Sequence, residues 1–163
     1  MRRTSIKLVL PIAVLLASGC AAATSNGDGA ISSTFRRTLA RATPFDVSKY
    51  SRQILERYLY QLERSEETEF YVMFETRWKG RYPFEDEIAA GIQEARSRVT
   101  IRARATRGAG DGTGPVEFVA ENLVLLEDGG GWVPRVSPMV EDHFKEVADA
   151  LRSELQTRIR VRG

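Results

Sequence analysis

One cysteine and one histidine in 163 residues leave little for covalent or metal chemistry. A lone cysteine closes no intrachain disulfide, and His143 has Glu141 and Asp142 beside it on other helical faces, so no metal site and no cofactor is expected. Long apolar runs are missing too. The one run, residues 8–17, is interrupted by Pro11 and falls well short of the roughly 20 residues that a membrane-spanning helix needs. Three of the 24 Lys and Arg residues lie in the first 19 positions and none of the 22 Asp and Glu residues do, so the remainder is close to neutral. That balance argues against a nucleic-acid partner. No G-x-S-x-G elbow or internal repeat occurs. The glycines at 108, 110, 112 and 114 connect strand to strand without the helix that a phosphate loop requires. No catalytic residue is assigned.

What the chain does have is concentrated at its start. Arg2, Arg3 and Lys7 form a basic segment, residues 8–17 an apolar one, and Ser18 and Gly19 are small residues ahead of Cys20. Charge, short apolar run and small residues follow one another as in an export signal. The stretch resembles a bacterial lipoprotein precursor, whose lipobox sets an aliphatic and two small residues before a cysteine; here Ala17 stands where leucine is commonest. The resemblance implies cleavage between Gly19 and Cys20, diacylation of the Cys20 sulfur and acylation of its new amine. It also implies, from Ala21 in place of aspartate, the inner leaflet of an outer membrane, facing the periplasm. Two or more acyl chains hold a protein on a bilayer where one is marginal.

Residues 1–19 are therefore read as signal peptide, 20–44 as lipidated cysteine and flexible tether, and 45–163 as one α+β domain. Residues 21–34 are small and polar, and Phe35, Arg36, Arg37 and Arg41 read as a basic patch at the tether's end. Asp46 suits an N-cap, with Phe45 and Tyr50 as a hydrophobic staple. Helical spacing of Val47, Tyr50, Ile54, Leu55, Tyr58, Leu59 and Leu62 predicts a helix to about residue 64. Period-two alternation predicts strands over 69–79, with Phe70 to Trp78 inward at every second position, over 96–107 and over 116–126. A short edge strand over 132–136 contains Pro134. Residues 85–95 read as a short helix that Gly91 weakens, or as extended chain. Ser137 and Pro138 open a final helix. The expected architecture is a two-layer sandwich, an antiparallel sheet of about four strands with two long helices on one face.

Such a sheet leaves its second face uncovered. Arg96, Arg98, Arg102 and Arg104 are expected there, either paired with Glu117, Glu121, Glu69 and Glu75 or forming a site for the phosphate or carboxylate groups of an envelope glycolipid. Tyr71, Met73, Val119, Leu123 and Leu125 share that face as an apolar partner patch, unless a bulge near Asn122 turns the leucines inward. The expected function is a membrane-anchored envelope lipoprotein with a non-enzymatic binding or scaffolding role, its partners the membrane through Cys20 and an envelope protein or glycolipid. Two alternatives stand beside it: a small hydrolase or transferase using carboxylates such as Glu85, Asp86 and Glu87, and a small-ligand or sensing module with a cavity between sheet and helices.

Overall fold

The computed structural model describes residues 33–108, 110–127 and 130–162. Gly19 and Cys20 lie outside these residues. The chain order is β1 (Thr34–Ala42), α1 (Pro44–Arg57), β2 (Leu62–Glu67), β3 (Tyr71–Thr76), β4 (Lys79–Arg81), α2 (Glu85–Ala89), β5 (Ile92–Arg104), β6 (Gly114–Leu126), β7 (Trp132–Pro134) and α3 (Pro138–Arg162). The strands make one antiparallel sheet in the order β1-β6-β5-β3-β2; β4 joins β5 beyond the end of β3, and β7 joins β6 beyond the end of β1. This overturns the expected sheet of about four strands with two long helices: among the described residues the sheet has seven strands, and three helices accompany it.

Each additional element has a local cause. Residues 34–42, expected in the tether, form β1 because Phe35 and Leu39 turn toward the core while Thr34, Arg36 and Thr38 pair on the other side with Glu121, Val119 and Glu117. A register shift between Thr38 and Arg41 breaks the alternation that would have revealed it. The first helix stops at Arg57, short of the expected 64, because Leu59 takes a left-handed conformation at φ 58° and redirects the chain into β2. Glycine commonly supplies that geometry at a helix end, and none is present here. The helix is capped by Thr43, whose hydroxyl accepts from the Asp46 N–H at 3.2 Å and donates to the Asp46 carboxylate at 2.8 Å. Asp46 thus sits in the first turn, and Phe45, expected as a staple, is 68% exposed.

The single strand expected over 69–79 is broken at Arg77 and Trp78. Val72, Phe74 and Thr76 point inward, but Phe70 is exposed and Trp78 lies against Arg96 and Arg98 on the opposite face. Helix α2 is only five residues long, and residues 92–95 already belong to β5. The β5–β6 register runs without a shift from Glu94/Leu125 to Ala103/Val116, so no bulge occurs at Asn122 and the leucines keep the uncovered face.

The covered face is closed by α1 and α3. Val47, Ile54 and Leu55 from α1 and Val140, Phe144, Val147 and Leu151 from α3 meet Phe74, Val99, Ile101 and Phe118 from the sheet, all essentially without solvent contact. Burying side chains of this size, at about 1.5–3 kcal/mol each, drives folding. Ser137 and Pro138 begin α3, the Ser137 hydroxyl accepting from the Val140 N–H at 3.4 Å.

Candidate binding face

On the uncovered side β5 presents Arg96, Arg98, Thr100, Arg102 and Arg104; β6 presents Glu117, Val119, Glu121, Leu123 and Leu125; β3 presents Tyr71, Met73 and Glu75. Cross-strand neighbours on one face lie close enough to pair, and pairing sorts the four arginines into two kinds.

Arg98 sits in the middle, its Nε 2.5 Å from Glu121 and its Nη1 2.8 Å from Glu75. The hydrogen bond it donates to Glu121 raises its already high pKa further, with the nearby charges of Glu121, Glu75 and Glu63 adding to the effect. Arg102 lies 3.7 Å from Glu117, at the outer limit of an ion pair. Arg98 is thus held by two carboxylates, whereas Arg102 makes only this one long contact.

The two outer arginines rest on aromatic rings. The Arg96 guanidinium lies 4.1 Å from the Trp132 ring centre and 5.2 Å from that of Trp78, between two indoles. Its Nε is buried, with no hydrogen-bond partner among the described residues. This stacking ties Trp78, just ahead of β4, and Trp132 of β7, both beside strands too short to hold their place alone, to the first half of β5. At the other end Arg104 lies 5.3 Å from the Tyr71 ring centre and, among the described residues, has no carboxylate partner.

The five apolar residues expected as one patch are separated. Leu123 and Leu125 stand opposite Pro134 and Trp132 of β7 and are half-buried by them. Val119, 8% exposed, is walled in by Thr100 and Arg36. Tyr71 and Met73 flank Arg104 and Arg102 across the sheet.

The carboxylates that a hydrolytic reading would use are engaged in structure. Glu87 is fully buried, its two oxygens 2.7 and 2.8 Å from the Arg81 guanidinium, and it also accepts from the Phe84 N–H and from the Asn122 amide. Asn122 completes the set, accepting from Arg81 at 3.1 Å and donating to the Arg135 carbonyl at 2.8 Å. Asp86 accepts from the Met139 N–H at the start of α3. The sequence carries one sign of this network: a lone Asn122 in an otherwise apolar inward row.

His143 is half-buried beside Tyr58, Phe84 and Phe144. Burial lowers its pKa from 6.5; Glu146 opposes that shift, and Lys79 and Arg81 reinforce it. Lys79, half-buried, donates to the Tyr58 carbonyl at 2.7 Å, and burial lowers its pKa as well. Among the described residues no three His, Cys, Asp or Glu side chains are placed to hold a metal, and no helix is long and apolar enough to cross a membrane.

Neither a protein-family model nor a curated protein matches this chain. The functional reading therefore rests on the geometry of the face itself.

Proposed function

We propose that the protein is a lipid-anchored, non-enzymatic module of a bacterial envelope that binds an envelope component through the uncovered face of its sheet. One observation carries the reading: both long helices pack on one face, while the opposite face keeps Leu123 and Leu125 half-buried next to β7 at one end and Tyr71 and Met73 half-buried across from Arg104 and Arg102 at the other, with no helix of the described chain over them. Mixed apolar and cationic surface of this kind, rich in Trp, Tyr, Met and Arg, is what partner interfaces favour. The lipobox-like run ending at Cys20 supports anchoring, and acyl chains there would hold the domain close to a membrane surface.

Photocrosslinking in cells from probes at Tyr71, Thr100 and Leu123, with Arg57 on α1 as control, tests the face. A discrete adduct from the sheet probes and none from position 57 is expected; adducts from no sheet probe refute the binding face. Metabolic labelling with palmitate tests the anchor, since Cys20→Ser should abolish both the label and retention on membranes.

A further inference from the structure

The arginine row ends at a groove. Where β3 begins and β5 gives way to the glycine-rich loop, Phe70, Tyr71, Arg104, Arg107 and Pro115 line a concavity of about 990 Å³, open to solvent. It adjoins a second hollow of about 260 Å³ that shares Tyr71, Arg104 and Pro115. Sites for small ligands commonly span 300–1,000 Å³ and combine apolar walls with a few polar groups.

The groove is built on fixed backbone. The Ala105 N–H donates to the Phe70 carbonyl at 2.9 Å, and the Thr106 N–H donates to the Thr113 carbonyl at 3.0 Å across the neck of the loop. Arg41 of β1 braces the same neck, donating to the Thr113 carbonyl at 3.1 Å and to the Thr106 hydroxyl at 3.2 Å. Gly114 packs so tightly that a Cβ there would lie 1.7 Å from the Arg104 carbonyl oxygen, which fixes where β6 re-enters beside Arg104.

The charge at the groove is unbalanced. Arg104 and Arg107 are exposed, and among the described residues neither has an acidic partner. The acid within the loop, Asp111, accepts from the Thr113 N–H and hydroxyl, which hold its pKa below 3.8. Phe70, 63% exposed, leaves a large apolar surface beside these two cations. A ligand suited to this wall has one anionic group for the guanidiniums and an apolar chain for the rings.

We propose that this groove binds a single-chain anionic amphiphile, its carboxylate on Arg104 and Arg107 and its chain along Phe70, Tyr71 and Pro115. The proposal deepens the reading of the uncovered face, to which Tyr71 and Arg104 belong, and rests on that reading.

Calorimetric titration of the full chain with laurate tests it. One laurate is expected per chain, with dodecanol and acetate each about tenfold weaker, because neither supplies both halves of the ligand. Arg104→Met and Arg107→Met should each lower laurate affinity about tenfold, and Phe70→Ser should lower it too, while Arg64→Met, on β2 opposite Glu75 of the same face, leaves it unchanged. Unchanged circular-dichroism melting certifies that each variant folds. Absence of laurate binding, equal binding of dodecanol, or full affinity in the Arg104→Met/Arg107→Met double variant overturns the proposal. So does binding to phosphatidylglycerol vesicles without uptake of laurate, which would mark adsorption to a surface. If laurate fails while the Thr100 and Leu123 crosslinks persist, the amphiphile is refuted and the binding face stands.

Discussion

Arg81 with Glu87 on the covered face and Arg98 with Glu75 and Glu121 on the uncovered one use the same chemistry at opposite burial. The Glu87 side chain has no solvent exposure and Arg81 has 12%, whereas Arg98, Glu75 and Glu121 keep 29%, 27% and 35%. Inside, both Glu87 oxygens are hydrogen-bonded, and Asn122 and the Phe84 N–H complete the shell. A buried charge is tolerable only when so enclosed. Outside, water completes whatever the pairs leave unmet, and the pairs chiefly set register and keep the face from being greasy. The buried set holds α2 in place; the exposed set is free to rearrange for a partner.

The contrast yields graded predictions. Glu87→Ala leaves the largely buried Arg81 guanidinium without its carboxylate, with Asn122 and the Tyr82 carbonyl as its remaining acceptors, and should lower unfolding stability by about 3–5 kcal/mol in urea titrations. A loss below about 1 kcal/mol would show the buried set to be no stronger than the exposed one. Arg96→Met removes the cation held between the chain's two tryptophans, with an expected loss of about 1–2 kcal/mol. Its diagnostic sign is a red shift of tryptophan emission as β7 and the chain just ahead of β4 loosen.

Smaller effects should follow on the exposed side. Glu121→Gln weakens one arm of the Arg98 pairing and should change stability by less than about 1 kcal/mol, with the difference shrinking further in concentrated salt. His143 gives a pH-dependent effect. Its folded pKa lies below 6.5, so as pH falls through 6.5 the unfolded chain binds a proton before the folded one does. Stability is then full above 6.5 and declines below it until the folded pKa is passed. Urea midpoints measured from about pH 8 to about pH 5 should fall less steeply in His143→Phe than in the parent chain.

The parts of this fold that were legible in the sequence are those with uninterrupted period. The alternation over most of β5 and the buried stripes of α1 and α3 announce themselves because Val99, Ile101 and Ala103, Val47, Ile54 and Leu55, and Val140, Phe144, Val147 and Leu151 each recur toward one layer. What stayed hidden involves exceptions to period. Arg37 stands on the helix side of β1, where its guanidinium meets Asp149 of α3 at 3.0 Å, so a position that reads as solvated tether is part of the sheet. Trp78 reads as inward by parity, but the break at Arg77 puts it on the other face. The arginine row was visible as a row. Its ring contacts depend on Trp132, which reaches Arg96 through β7, and on Trp78, which stands just ahead of β4 against both Arg96 and Arg98. The groove was not legible, because it needs the starts of β3 and β6 and the end of β5 at one corner.

The register of β1 also has a mechanical meaning. Thr34 pairs with Glu121, well inside β6, and Ala42 pairs with Gly114 at its beginning. Tension on the chain ahead of Thr34, with the rest of the sheet gripped from its uncovered face, would act along β1 and load its hydrogen bonds to β6 together in shear, instead of peeling them one at a time. Endurance under such a load is set by the height of the unfolding barrier more than by equilibrium stability. The edge strand that joins the domain to the preceding chain is thus oriented to bear force.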